Sequence, residues 1–368
     1  MRILHTEASL AWGGQEIRII RESEGMRARG HQVFIIAPPE SDIYQRAGEM
    51  GFQTKAVKFQ RRSFFSIIRE IVRFIESEHI DVVNTHSSKD SWLVLPSARL
   101  ARNKPFAIRT RHLSVPISKD PFTRVLYNSL PHFIITTGEA IKQQMINDNN
   151  YNPDKIMSIT TGVNLDLYNA EGPQDVLRKE LGLPRTAPLI GTVSVIRNWK
   201  GLDYFVKAMP VILKEFPDAM GVMTGDGPDK HILQNAVTEA GLDKNIRLMG
   251  HREDVADVLR SLDVLVHPSY ANEGVPQTVL QAMALKKPVV ASGIEPLKEV
   301  VIEGVTGMLS RIKDPESIAS AVITLLRNKE LAARLGQNGR KLVEASYSFQ
   351  HTLDKTEKLY GELLRTKN

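Results

Sequence analysis

Residues 2–37 run Arg2-Ile-Leu-His-Thr6, then a charged stretch from Gln15 to Arg29, then Gln32-Val-Phe-Ile-Ile-Ala37. The two apolar runs are too short for helices and rich in β-branched side chains, which predicts buried strands. The stretch between them has the length of a crossover helix. A strand, a helix and a strand in that order form a βαβ unit, whose strands must lie parallel. The alternation continues outward: a helix near Ser41 to Met50, a strand at residues 53–57, a helix from Ser63 to Glu78, then strands at 81–85, 106–110, 132–137 and 155–160. It pauses between Asn164 and Pro188, where Pro173, Gly182 and Pro184 suggest a linker. A second series then starts with strands at 188–195, 219–224, 245–250, 263–268 and 288–292. Two such series predict an α/β protein of two Rossmann-like domains facing one another across a cleft, residues 1–170 and 171–348. Ligands would bind at the carboxyl ends of the strands. The last stretch, with Phe349, Leu353, Tyr360, Leu363 and Leu364 on one side, predicts an amphipathic helix (349–368) that either caps the second domain or crosses back to cover the first.

Composition narrows the functions. The 368 residues suffice for two cores, and 42% hydrophobic with 24% charged residues is ordinary for a globular chain. With no cysteine there is no disulfide, no thiolate metal site and no cysteine nucleophile. No apolar run approaches the roughly 18–20 residues that span a bilayer, and Glu7 interrupts the start too early for a signal peptide. The expected location is the cytoplasm. Residues 1–170 hold 22 Lys+Arg against 17 Asp+Glu, nearly all of the net charge of +6, which suggests an anionic partner for that half: a phosphorylated ligand or an anionic membrane. The segment Lys58–Phe74 mixes Arg61, Arg62, Arg69 and Arg73 with Phe64, Phe65 and Ile68, as a helix resting on such a membrane would. A helix packed on the sheet with its basic edge in water accounts for the same residues. Nucleic acid is not expected, for want of a long basic run or a recognised binding motif.

Several chemistries are disfavoured. The phosphate-binding pattern G-x-x-x-x-G-K-[ST] is missing, and the run Gly225-Asp226-Gly227 has Lys230 where a dinucleotide fingerprint needs its third glycine. No H-E-x-x-H or Asp-x-Asp pair offers a metal site. No cofactor or metal is called for.

The richest stretch is Val266-His-Pro-Ser-Tyr-Ala-Asn-Glu-Gly-Val-Pro-Gln-Thr-Val-Leu-Gln-Ala-Met-Ala284. A strand ends near His267, a loop carries Glu273 and Gly274, and Pro276 is placed in the first turn of a helix, where its missing N–H is harmless. The amides of Gln277, Thr278 and Val279 would then face the strand ends and form an anion site suited to phosphate.

These residues resemble the donor-site motif of the GT-B glycosyltransferases of family 4, retaining enzymes that use nucleotide sugars. The likeness extends along the chain in order: Gly13-Gly14, Arg29-Gly30-His31, Thr161-Gly-Val-Asn164, Arg197-Asn-Trp-Lys200-Gly201, Gly225-Asp-Gly-Pro228 and Gly250-His251-Arg252. It implies a metal-independent hexosyltransferase that binds a UDP- or GDP-linked sugar in the second domain and a sugar or lipid-linked acceptor in the first. Bacterial polysaccharide or glycolipid synthesis would be the setting, with peripheral membrane contact. Arg197 and Lys200 would stabilise the departing diphosphate, since positive charge aimed at developing negative charge is what such a reaction requires. Lys200 is expected to be an exposed loop cation of little consequence for stability. Glu273 would contact sugar hydroxyls, with Gly274 and Val275 beside it. His112 would touch the donor sugar, and Gly13-Gly14 would let backbone approach the diphosphate. Gly225, Asp226, His251 and Arg252 would border the nucleotide, while His86 and Arg111 are candidates for the acceptor pocket. Histidines at 86 and 112 and the loop at 250–252 also admit purely structural roles. One departure stands out: the family's motif has glutamate at both ends, whereas this chain has Gln281 at the second. An amide offers the ribose one acceptor and one donor group in place of a carboxylate. A sugar-nucleotide epimerase of the same fold and a non-catalytic nucleotide-sugar binder are the alternatives.

Overall fold

The computed structural model describes residues 1–60 and 64–366, so Arg61 and Arg62 of the basic segment, and the last two residues of the expected final helix, lie outside the described residues. The chain forms two compact units: Met1–Thr161 with the segment from His351 onward, and Gly162–Gln350.

The first unit holds β1 (Arg2–Thr6), α1 (Gly14–Ala28), β2 (Gln32–Ala37), α2 (Asp42–Glu49), β3 (Gln53–Ala56), α3 (Phe64–Ser77), β4 (Val82–Thr85), α4 (Ser88–Leu100), β5 (Phe106–Arg111), α5 (Pro121–Arg124), β6 (Phe133–Thr136), α6 (Glu139–Asn149) and β7 (Ile156–Ser158). The seven strands are parallel in the order β3-β2-β1-β4-β5-β6-β7. Leu4, Phe34 and Val83 of the strands pack with Ile67, Ile71 and Ile75 of α3 in one core. α3 lies on the sheet, and Arg69 and Arg73 are on its exposed side.

The second unit holds α7 (Val176–Glu180), β8 (Leu189–Val193), α8 (Leu202–Glu215), β9 (Met220–Thr224), α9 (Lys230–Glu239), β10 (Ile246–Gly250), α10 (Val255–Ser261), β11 (Val264–His267), α11 (Gln277–Ala284), β12 (Val289–Ser292), α12 (Glu295–Lys298), β13 (Met308–Ser310), α13 (Pro315–Arg327) and α14 (Lys329–Ser346). Its six parallel strands run β10-β9-β8-β11-β12-β13. In both sheets the order reverses beside the first strand, at β1/β4 and at β8/β11. A crevice opens there because the crossover helices depart to opposite faces.

The pause expected as a linker is folded. Val163, Tyr168 and Leu177 are buried in the core of the second unit, so the boundary falls at Thr161–Gly162 rather than at residue 170. Proline and glycine there shape turns that stay packed. The final helix, α15 (Phe349–Arg365), crosses back to the first unit. Its buried face is Thr352, Leu353, Thr356, Leu359 and Tyr360, with Phe349 and Leu363 only partly covered. On this face Thr352 Oγ1 donates to the Thr160 carbonyl at 2.9 Å, and Tyr360 OH accepts from Asn84 Nδ2 at 3.0 Å. At its rim Glu357 pairs with Arg29 (2.7 Å) and His31 (2.8 Å). Among the described residues no helix is long and apolar enough to cross a membrane.

Candidate active site

In the second unit the two loops at the β8/β11 crevice meet. After β8 the chain runs through Arg197 into a single 3-10 turn at Asn198–Lys200. Gly201 ends that turn at φ +66°, and a Cβ there would fall 2.3 Å from the Pro268 carbonyl oxygen. Only glycine satisfies both demands, which is why the turn can dock on the β11 loop. Docking brings Lys200 Nζ to 2.5 Å from Glu273 Oε1, with His267 Nε2 3.4 Å from the same oxygen and Ser269 Oγ 3.2 Å from His267 Nε2. Burial pushes the Glu273 carboxyl up, but Lys200 and His267 outweigh it and bring it down to about 2. Burial holds His267 below its ordinary range despite Glu273. Lys200 is therefore no exposed loop cation: its side chain is 17% exposed and neutralises a carboxylate that is 8% exposed. Arg197 is exposed and stacks on Trp199, 5.1 Å from the ring centroid.

The helix at this loop starts one residue later than expected. Pro276 occupies the N-cap, where it supplies no side-chain cap, and α11 begins at Gln277. The first intrahelical bond runs from Leu280 N to the Pro276 carbonyl (3.3 Å), so the amides of Gln277, Thr278 and Val279 precede it. Thr278 Oγ1 is committed to the Val193 carbonyl at 3.0 Å, and the side chains of Val275 and Val279 are in the core. These residues can offer a ligand backbone, not side chain. Gln281 is 9% exposed, and among the described residues its side-chain amide has no hydrogen-bond partner.

Other expected residues have structural partners. A Cβ at Gly225 (φ +135°) would sit 1.9 Å from the Ser194 carbonyl oxygen, so this glycine lets the β9 loop lie against the β8 loop. Asp226 is exposed and accepts from Gly227 N at 2.9 Å. His251 is exposed. Arg252 is clamped by Asp254 (2.8 and 2.7 Å) and Glu180 (2.8 and 2.9 Å).

In the first unit, Gly13 is extended (φ −155°) and Gly14 has open space where a Cβ would stand, so neither backbone nor neighbours require glycine. Glu7, which follows β1, accepts from Ala8 N and Ser9 N at 2.8 Å. Burial, with Asp90 nearby, pushes its carboxyl up to about 7. His86 follows β4 and His112 follows β5, and the two are joined at 3.0 Å, with His5 of β1 bonded to His86 at 3.0 Å. Arg111 donates to Tyr127 OH at 2.7 Å, as Arg109 does at 3.1 Å. Reading by strand ends finds His86 and His112 and places His267 at the end of β11 without giving it a role, and it misses His5, which lies inside β1. The signal for His5 is a histidine in an apolar strand, where burial requires a polar partner.

Two parallel-sheet units with an anion-suited helix N-terminus and a lysine–glutamate pair at the second switch point define the class as GT-B. The chain matches the family model described as Glycosyltransferase Family 4 over residues 12–167 and that described as Glycosyl transferases group 1 over 173–342. It belongs to the family 4 glycosyltransferases and is a transferase. It is similar to the Escherichia coli UDP-Gal:alpha-D-GlcNAc-diphosphoundecaprenol alpha-1,3-galactosyltransferase, at 27% identity over all of both chains. It is also similar to the Mycobacterium leprae phosphatidyl-myo-inositol mannosyltransferase, at 26% over 90% of this chain and 88% of that one. Among solved structures it resembles Anabaena Alr3699/HepE in complex with UDP and glucose, with a TM-score of 0.84 and 20% identity over 98% of this chain and all of that one. It also resembles a Rickettsia africae glycosyltransferase, with a TM-score of 0.89 and 21% identity over 99% and 98%.

Proposed function

We propose that this protein is a retaining, metal-independent hexosyltransferase that moves a sugar from a UDP- or GDP-linked donor to a hydroxyl of a sugar or lipid-linked acceptor. The observation that carries this reading is the N-terminus of α11 beside the Lys200–Glu273 pair at the β8/β11 switch point. Backbone amides at a helix start attract a diphosphate, and a lysine at the same place supplies the charge that a departing nucleoside diphosphate needs. On donor binding the pair separates its duties: the ammonium turns to phosphate oxygen and the carboxylate accepts from sugar hydroxyls. Arg197, held over Trp199, adds a second cation, and its planar fork suits two phosphate oxygens. The unpartnered amide of Gln281 faces the ribose one turn along the helix.

For the first unit the reading assigns the acceptor, with His86 and Arg111 as candidates for its pocket, and gives His112 the contact to the donor sugar. The spare space at Gly14 supports close approach by substrate, since nothing in the protein uses it. The galactosyltransferase relative, which uses UDP-Gal and a diphosphoundecaprenol acceptor, supports a uridine donor, and together with the phosphatidyl-myo-inositol mannosyltransferase it supports a glycolipid product. Peripheral contact with an anionic membrane, through Phe65, Arg69 and Arg73 on the exposed side of α3, fits such an acceptor. Calorimetry against UDP, GDP, ADP and CMP, followed by a donor screen with and without acceptors, tests the reading. UDP or GDP should bind, and turnover should need an acceptor and survive excess EDTA. Activity restored to an EDTA-treated enzyme by magnesium or manganese would sink the metal-free part. Interconversion of the donor without acceptor would make it an epimerase.

A further inference from the structure

Three imidazoles stand end to end at the switch point of the first unit. His5 Nδ1 lies 3.0 Å from His86 Nε2, and His86 Nδ1 lies 3.0 Å from His112 Nε2. His5 and His86 are buried and His112 is partly exposed, so the chain runs from the interior to the surface at the end of β5. No group of three side chains able to hold a metal occurs among the described residues, and these rings bond in series rather than converge.

Burial disfavours the charged form of all three rings, and Arg18 and Arg109 disfavour it further at His86 and His112, so the chain is neutral near neutral pH. A neutral imidazole carries one N–H, and each N···N contact needs one donor and one acceptor. The tautomers are therefore collective, and only two arrangements exist. In the first, every ring is protonated on Nδ1: His5 donates to His86, His86 donates to His112, and the outermost Nδ1–H belongs to His112. In the second, every ring is protonated on Nε2, and the innermost N–H belongs to His5. The Nε2 of His5 is buried with no hydrogen-bond partner. An orphaned buried N–H is a rarer and costlier defect than an orphaned acceptor, which selects the first arrangement. The charges nearest His5, Glu22 and Arg18, act on it with opposite sign and are themselves paired at 3.5 Å, so they largely cancel.

We infer that His5 and His86 are positioning residues that hold His112 in its Nδ1–H tautomer, so that it presents a hydrogen-bond donor to a sugar hydroxyl oxygen and cannot serve there as a base. The effect on turnover rests on the role proposed above for His112, whereas the tautomer does not. The test is long-range 1H–15N correlation NMR of the full-length protein labelled with 15N-histidine, in which protonated and bare ring nitrogens have distinct shifts. All three histidines should show protonated Nδ1 and bare Nε2. In His5→Met the thioether at position 5 can accept from His86 but cannot donate to it, so His86 and His112 should pass to the Nε2–H form. The value of kcat/KM should then fall roughly 10-fold, the scale of one neutral hydrogen bond, with the nucleotide Kd unchanged. His5→Gln, whose amide can still donate to His86, should keep the Nδ1–H form and most of the activity. Protonated Nε2 on His112 in the unmodified protein overturns the inference, whatever the activity. So does a His112 that stays Nδ1–H in a folded His5→Met protein. If the tautomers behave as expected and turnover does not change, the inference stands and the proposed contact of His112 with sugar fails. Should His5→Met not fold, the spectra of the unmodified protein and of His5→Gln decide.

Discussion

Replacing Lys200 by alanine removes one partner of an ion pair whose other partner cannot reach water. With Lys200 in place, Glu273 titrates at about 2, against 4.5 for the free side chain. A depression of that size corresponds to roughly 3 kcal/mol of stability at neutral pH, and breaking a buried pair by deleting one member costs about 3–5 kcal/mol. Because the lysine is partly exposed, a loss of about 2–3 kcal/mol is expected. The sign with pH follows from the depressed pKa. The stabilisation is complete above about 4.5 and disappears as pH falls toward about 2. In Lys200→Ala the uncompensated carboxylate is raised by burial, so the gap between mutant and unmodified protein should narrow on acidification. Urea denaturation at several pH values measures this, with Glu273→Gln and the double mutant completing the cycle. The double mutant should be more stable than Lys200→Ala alone. Turnover should fall separately, by roughly 10²- to 10³-fold in kcat/KM, the scale for one oriented contact to developing charge. A loss of stability below about 0.5 kcal/mol at every pH would show that the pair is not buried as described, and the turn after β8 would then be a solvated loop.

Gln281→Glu should lower the Kd for a ribonucleotide more than for its 2′-deoxy counterpart, through charge-assisted bonds to the ribose hydroxyls; an unchanged ratio means that position 281 does not touch ribose. Gly201→Ala should be destabilised by about 1–3 kcal/mol, because it combines a left-handed backbone with a clash on the Pro268 carbonyl, and it should lose turnover by displacing Lys200. Thermal melting and kcat/KM on the same preparation check both effects. Tyr360→Phe deletes the hydroxyl that accepts from buried Asn84 Nδ2 and should cost about 1–3 kcal/mol by denaturant melt, since the amide is left with an orphaned donor.

Strand, helix and connection could be read along the chain because each short β-branched run answers to a local rule: a parallel strand buried on both faces is apolar throughout, and its crossover helix must follow at once. The two units, the loops after β8 and β11, and Glu273, Lys200 and Gln281 follow from that rule and from motif order. The fate of each charge was decided by tertiary structure. Lys200 and Arg252 look alike in the sequence, as cations in loops at strand ends, yet one neutralises Glu273 at the switch point and the other is paired with Asp254 and Glu180. The proline-rich stretch at 164–188 carries the composition of a linker, but Tyr168 and Leu177 find a core to fill. His5, silent within its strand, meets His86 only because β1 and β4 are neighbours across the reversal of strand order. Hydrophobic periodicity reports how much of a segment is buried, which is a property of the segment. A charge or an imidazole acquires its proton affinity from partners remote in the chain, and only the folded sheet brings those within 3 Å or so of one another.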